Sequence, residues 1–393
     1  MFPKYFEFYN PVKINAGQNA LEGIPSELSR LNVSRPFIIT DEGIVKVGLL
    51  EKVLGGFKDS DIVIGAVYDK VPPDSSIKTV NEAAQIYKEQ SCDCIIAVGG
   101  GSVIDSAKGM NIVISENTTD IVQLAGHDRI KNFQQPLIVV PTTSGTGSEV
   151  TLVAVVADKE KDRKMLFTST KLLPSVAIID PRMTLSLPPK LTAATGMDAL
   201  THAIEAYSCL QKNPVSDAYA YSAIKSVSEN LINVVKNGKD EQGRFKLAVA
   251  CTSAGVAFSN SMVGAVHGIG HTVGALAHVH HGMAMAILLP HVMEYNLEKA
   301  GEYYAELLLP LAGAEIYAST PTDQRAKKSI DFIKNMNNEL NTICGMPNSL
   351  KDAGVKEDQL EKIAKRSLND GAMILNPEDM DANEVLSVLK KAY

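Results

Sequence analysis

Short apolar runs recur through the first half of the chain, separated by segments with helical spacing, and this rhythm constrains the fold most. Pro36–Thr40, Asp61–Val67, Cys94–Val98, Leu137–Val140 and Val176–Ile179 read as compact strands. Runs this short and this apolar suit strands covered on both faces. Helical spacing appears between several of them, as in Ser75–Glu89 and Ser102–Val113. The alternation predicts βαβ units and a mostly parallel sheet. Thr151–Ala157 and Met165–Thr168 predict a hairpin around the charged run Asp158–Lys164, most of which reads as an exposed turn. At Leu187-Pro188-Pro189-Lys190 the pattern changes, and from Leu191 onward the periodicity is helical with almost no strand signal. Glu357–Leu368 and Asn383–Ala392 read as amphipathic helices flanking a turn at Asn376-Pro377. The expected organisation is an α/β domain over 1–186 and an all-α domain over 187–393. A chain of 393 residues has material for two cores of this kind.

Composition narrows the classes of partner. A formal net charge of −7 argues against nucleic acid and anionic membrane surfaces, which need clustered Lys and Arg. The five cysteines (Cys92, Cys94, Cys209, Cys251 and Cys344) are odd in number, form no CxxC pair and fit a reducing compartment. Cys92-x-Cys94 leads into an apolar strand and reads as buried. The N-terminal residues Met1–Glu7 contain no apolar signal core, and no run reaches the roughly 18 apolar residues of a membrane span. The expectation is a soluble cytoplasmic protein.

Two loops point to a nucleotide. Cys94–Val98 runs into Gly99-Gly100-Gly101-Ser102, after which a helix begins. Glycines let backbone approach a ligand closely, and the helix start offers unpaired N–H groups to a phosphate. The pattern is neither GxGxxG nor a P-loop, and a triple glycine alone is more often a tight turn. The second loop, Pro141-Thr142-Thr143-Ser144-Gly145-Thr146-Gly147-Ser148-Glu149, also follows a strand and is rich in hydroxyls. Two such loops at strand C-termini favour a ligand crevice over two polar turns. Asp41, just past the first predicted strand, is placed to accept from a ribose 2′-OH and to repel a 2′-phosphate, which favours NAD over NADP.

The helical half carries metal-ligand chemistry. Asp198 and His202 are one turn apart on a predicted helix, and His267 and His281 lie in a later histidine-dense segment. One carboxylate and three imidazoles suit a divalent transition metal with room for a substrate oxygen. His271, four residues after His267, is the candidate proton carrier, against a plain structural histidine. Gly264, Gly268, Gly270 and Gly274 weaken that helix by up to roughly 1 kcal/mol each relative to Ala. Their recurrence suggests close approach of backbone to metal, cofactor or another helix. Asp105 and Glu149 read as braces of their loops, and His127 and His291 as structural or exposed.

Taken together, Gly99–Lys108, Pro141–Thr151, Gly196–Ala206 and Val266-His267-Gly268 with His271 resemble the iron-dependent alcohol dehydrogenase family along essentially the whole chain. The resemblance implies the architecture shared with dehydroquinate synthases: an α/β nucleotide-binding domain and a helical metal domain, with the active site in the cleft between them. It implies that Asp198, His202, His267 and His281 bind the metal, and that Gly100, Gly101 and Ser102 contact the pyrophosphate. Thr142, Thr143, Thr146 and Lys164 would line the cofactor site, Asp41 would select NAD(H), and Phe258 and Val263 would face substrate. The chain departs from the family at two places. His280 stands where relatives commonly have Pro, leaving it as an alternative to His281, although the following Gly282 matches the family at His281. Pro72-Pro73-Asp74-Ser75 replaces an Asn-Pro, which puts one adenosine contact in doubt.

The expected activity is interconversion of a small primary alcohol or diol with its aldehyde, using NAD(H) and Fe(II), with zinc the competing occupant. Homodimer is the default assembly, or a higher homo-oligomer. Rival readings are a dehydroquinate-synthase-type lyase, a glycerol dehydrogenase-type enzyme and a non-catalytic metal and nucleotide binder. The neutral, apolar segments Val263–Leu276 and Gly282–Leu289 disfavour the lyase, whose phosphorylated substrate needs basic side chains.

Overall fold

The computed structural model describes residues 3–158 and 163–393. The chain forms two compact units, one spanning Asn10–Ser186 and the other Leu187–Tyr393 together with the segment ending at Tyr9.

The first unit is built on strands β1 (Lys13–Ala16), β2 (Pro36–Ile39), β3 (Ala66–Tyr68), β4 (Cys94–Gly99), β5 (Gly126–His127), β6 (Leu137–Pro141), β7 (Val153–Asp158), β8 (Arg163–Thr168) and β9 (Val176–Ile179). Six of them make one sheet in the order β1-β9-β6-β4-β2-β3, and every neighbouring pair is parallel. Every residue of β2, β4, β6 and β9 is buried. Alternate side chains feed two cores. Phe37, Ile39, Ile95, Ala97, Leu137 and Val139 join one, shared with Val80, Ala83, Ile104 and Ala107 of the covering helices α1 (Ile77–Glu89) and α2 (Gly101–Ser115). Ile38, Ile96, Val98, Ile138, Val140 and Ile178 join the other, with Leu21, Ile24, Leu28 and Val53. Fully burying one such side chain contributes about 1.5–3 kcal/mol.

In this strand order β3 lies on one side of β2 and β4 on the other, so the winding reverses between β2 and β4. Ligands of open α/β sheets sit at the strand C-termini beside such a reversal. Asp41 and Gly100 follow those two strands, and Thr40 Oγ1 donates to Val98 O at 2.7 Å across them.

The expected strand at Asp61–Val67 is instead confined to Ala66–Tyr68. Its partner β2 begins only at Pro36, pairing Phe37 with Ala66, so residues 61–64 have no strand beside them. Strand β1 is an edge strand, pairs only with β9 and exposes Lys13, Ile14 and Ala16, so it lacks an apolar run. The hairpin forms as β7 against β8, from Val153↔Thr168 to Asp158↔Arg163. Of the run Asp158–Lys164 expected as mostly exposed turn, 159–162 fall outside the described residues, Asp158 is buried within β7, and Arg163 and Lys164 belong to β8.

The second unit is helical: α3 (Pro189–Ser208), α4 (Pro214–Lys236), α5 (Glu241–Ser261), α6 (Ala265–Ala277), α7 (His281–Tyr295), α8 (Leu297–Ala312), α9 (Arg325–Cys344), α10 (Leu360–Ser367) and α11 (Ala382–Ala392), with shorter helices between. Among the described residues no strand follows β9. Pro189 starts α3, with Pro188 extended before it. Helix α3 is buried along most of its length, and α4, α6 and α7 share its core through Leu231, Ile269 and Leu288. Two glycines set how closely its neighbours approach. A Cβ on Gly196 would lie 2.3 Å from Leu231 Cδ1, and one on Gly282 would lie 2.2 Å from Ala194 O. The start of α7 therefore runs against the α3 backbone. Among the described residues no single helix is long and apolar enough to cross a membrane.

Candidate metal centre and nucleotide-binding edge

Helix α3 presents Asp198 and His202 on one face, the first turn of α6 presents His267, and α7 begins with His281. One ligand atom from each lies within 4.8 Å of the others. Asp198 Oδ1 is 3.9 Å from His202 Nδ1, 3.8 Å from His267 Nε2 and 3.2 Å from His281 Nε2. Asp198 Oδ1, His202 Nδ1 and His267 Nε2 are buried with no hydrogen-bond partner. Three such converging atoms would destabilise the fold by about 1–3 kcal/mol each unless something satisfied them. A divalent cation does so, and the residues fit one. Burial pushes the His202 imidazole down to about 3 and His267 well below its ordinary value. Both are therefore neutral near pH 7, the form whose lone pair binds a cation. Burial alone would raise Asp198, but the neighbouring imidazoles, His281 foremost, hold it below the usual carboxylate range. His280 is exposed and stands outside the cluster, its backbone carbonyl accepting from Met283 N and Ala284 N at the start of α7.

Phe258 stacks on His202 with ring centroids 4.2 Å apart, and His202 stacks on His267 at 4.3 Å. Val263 is half-buried between α5 and α6. His271 is exposed, its ring 5.5 Å from His281 and its Nδ1 2.9 Å from Asp370 Oδ2. The glycines of α6 make close helix packing: a Cβ on Gly270 would lie 1.9 Å from Met285 Cε, and one on Gly268 would lie 2.5 Å from Met373 Sδ.

The sequence reading missed two carboxylates. Asp370 is 99 positions from its histidine. Glu205 Oε2 lies 2.5 Å from His267 Nδ1, and its Oε1 accepts from Val266 N at 2.7 Å. The available signal for Glu205 was spacing, since 198, 202 and 205 fall on one helix face.

In the first unit Gly99 ends β4 and Gly100 caps α2 with no side-chain hydrogen bond, so the N–H groups of Gly101 and Ser102 head the helix. The threonine loop packs directly on this turn. Thr142 N donates to Gly99 O at 3.1 Å, and a Cβ on Gly101 would lie 2.9 Å from Thr146 Cγ2. Thr143 sits 3.3 Å from where a Gly100 Cβ would be. Lys108, fully buried, clamps that loop by donating to the carbonyls of Ser148 (2.8 Å), Thr151 (2.7 Å) and Val153 (2.8 Å). Asp105 braces the same region, accepting from Ser148 Oγ and Val155 N, each at 3.1 Å. Asp41 caps the helix that follows it, accepting from Ile44 N at 3.0 Å. Lys164 pairs with Asp74 at 2.7 Å, and Asp74 N donates to Ser102 Oγ at 3.2 Å, so Lys164 is linked to the turn through Asp74.

One aspartate and three histidines converge in the helical unit, and in the other unit a glycine turn opens a helix at the C-terminal end of a parallel strand. Family models describing iron-containing alcohol dehydrogenase and the C-terminal region of the Fe-containing alcohol dehydrogenase family match residues 11–181 and 192–393. The chain is 36% identical over 392 residues to a 1,3-propanediol dehydrogenase of Klebsiella pneumoniae, covering 99% of each. It is 33% identical over 385 residues to an NAD-dependent methanol dehydrogenase of Bacillus methanolicus, covering 98% of this chain and 99% of that one. A crystal structure of 1,3-propanediol oxidoreductase superposes with a TM-score of 0.94 at 35% identity, covering 99% of this chain and 100% of the other. The chain belongs to the iron-containing alcohol dehydrogenase family. It is an NAD-dependent, metal-dependent alcohol dehydrogenase, and these matches do not favour the lyase, glycerol dehydrogenase or non-catalytic readings.

Proposed function

We propose that Asp198, His202, His267 and His281 hold a single Fe(II), with zinc as the competing occupant, and that the substrates are small primary alcohols, diols and their aldehydes. The observation that carries this reading is the convergence of three orphaned, buried ligand atoms within one cluster of an aspartate and three histidines. When bound, iron supplies a Lewis acid that lowers the pKa of an alcohol, and NAD(H) supplies the hydride acceptor or donor. The Asn10–Ser186 unit is the nucleotide-binding domain, and the helical unit is the metal-binding domain. Within the first, Gly99, Gly100, Gly101 and Ser102 present backbone N–H groups to the pyrophosphate. Thr142, Thr143, Thr146 and Lys164 orient the nucleotide, and Asp41 selects a ribose 2′-OH over a 2′-phosphate. Within the second, Phe258 and Val263 exclude water from the substrate, and His271 carries the hydroxyl proton toward solvent. The relatives' names, a methanol and a 1,3-propanediol dehydrogenase, support the choice of short alcohols and diols. The enzyme works in the cytoplasm as a homodimer or higher homo-oligomer.

The test follows NADH absorbance anaerobically, with Fe(II)-loaded protein and a panel of short aldehydes. Turnover abolished by a chelator and restored by Fe(II) is expected. Bound iron and NADH with no turnover on any aldehyde or alcohol would overturn the reading.

A further inference from the structure

Glu205 is fully buried, yet none of its contacts is to a Lys or Arg among the described residues. Its two oxygens have separate partners: Oε1 takes the Val266 N–H at 2.7 Å and Oε2 faces His267 Nδ1 at 2.5 Å. The amides on its far side satisfy one another. Asn376 and Asn296 exchange two hydrogen bonds of 2.9 and 2.8 Å, and Asn376 Oδ1 also accepts from Ala265 N at 3.2 Å. The Glu205 carboxylate is therefore aimed at the first turn of α6 and at His267, with the favourable N-terminal end of the helix dipole in front of it.

We infer that Glu205 is a positioning residue of the metal centre: it holds the His267 ring by Nδ1 with Nε2 turned toward Asp198. The inference rests on the proposed role of His267 as a ligand. An imidazole that gives its Nε2 lone pair to a cation carries its proton on Nδ1, where Glu205 Oε2 is placed to accept it. That Nε2 is the orphaned atom facing Asp198 Oδ1. Carboxylate-backed histidines of this kind typically strengthen metal binding about 10–100-fold. Glu205→Gln is near-isosteric, but its amide offers one acceptor where two donors wait. One of Val266 N–H and His267 Nδ1–H must then face an NH2 group.

The experiment titrates metal-free wild-type protein, Glu205→Gln, Glu205→Ala and His267→Ala with Co(II), read by visible absorption. Thermal melting of each metal-free protein is followed by circular dichroism. The expected result is metal-free melting of both Glu205 variants close to wild type, with Co(II) affinity about 10–100-fold weaker and an altered Co(II) spectrum. Wild-type affinity and spectrum in both Glu205 variants would overturn the inference. Metal-free Glu205 variants that are unfolded would also overturn it, by assigning the residue to the fold. Unchanged Co(II) binding in His267→Ala would instead remove the ligand assignment on which the inference rests.

Discussion

His271 Nδ1 lies 2.9 Å from Asp370 Oδ2, and the His271 ring stacks on His281 with planes inclined 16° and centroids 5.5 Å apart. Asp370 is itself fixed, its Oδ1 accepting from Ala372 N at 2.9 Å. The pair holds one edge of an accessible imidazole and leaves Nε2 available, which is the arrangement a proton carrier needs. His271→Ala is expected to keep stoichiometric iron while lowering kcat by about 10²-fold, within the range of general acid–base contributions. Asp370→Asn should lower kcat less, by about tenfold, because the ring keeps a hydrogen-bond partner. Full activity in His271→Ala across pH would return the residue to a structural role.

Adjacent histidines at 280 and 281 are separated by the fold. His281 joins the four-atom cluster, while His280 is exposed outside it. His281→Ala should lose iron, and His280→Ala should retain it with near-normal turnover. Metal analysis of both proteins checks this, and the reverse pattern would exchange the two assignments.

Cofactor choice is expected to follow Asp41. Replacing an N-cap Asp with Gly changes helix stability by only a few tenths of a kcal/mol, so Asp41→Gly chiefly removes the charge. The ratio of kcat/KM for NADPH to that for NADH should rise about tenfold, equivalent to about 1.4 kcal/mol. An unchanged ratio would take Asp41 out of that role.

Met262, at the corner joining α5 to α6, has φ 70° and ψ −169°, a region essentially reserved for glycine. Its N–H donates to Phe258 O at 2.7 Å, and the Cys209 thiol donates to Ser261 O at 2.8 Å, so packing holds the corner in place. Relief of about 1–3 kcal/mol of strain outweighs the added freedom of glycine in the unfolded chain, about 0.4–1 kcal/mol. Met262→Gly should therefore stabilise the metal-free helical unit by about 1 kcal/mol, measured by urea unfolding. A loss of stability would show that the corner is unstrained.

In the first unit Glu27 accepts from Lys13 Nζ, Asn15 Nδ2 and Arg30 Nε at 2.5, 2.9 and 2.7 Å. Burial would raise its carboxyl, but these three partners outweigh burial and hold it at about 2. A folded value below the unfolded one contributes stability above about pH 4.5 that is lost as pH falls toward 2. Glu27→Gln should be less stable than wild type at pH 6 by no more than about 1 kcal/mol, since Lys13 and Arg30 are half-exposed. The gap should close between pH 4.5 and 2 in chemical unfolding. A gap constant with pH would remove Glu27 as its source.

What could be read in the sequence follows from where each residue sits. Strands β2, β4, β6 and β9 are buried on both faces, so each carries an unbroken apolar run. Edge strand β1 and the two-residue β5 carry none. Asp198, His202, His267 and His281 stood out by residue type and spacing. Glu205 did not, because a glutamate on a helix is usually solvated and its burial depends on α6, 62 positions from Glu205 at His267. Asp370 and the clamp made by Lys108 depend likewise on contacts between distant segments, which periodicity along one element does not encode.

The most direct measurement of the central claim is anomalous diffraction at the iron edge from crystals loaded anaerobically with Fe(II). One peak is expected, about 2.0–2.2 Å from Asp198 Oδ1, His202 Nδ1, His267 Nε2 and His281 Nε2. A peak elsewhere, or none at these four atoms in iron-replete and active protein, would contradict it.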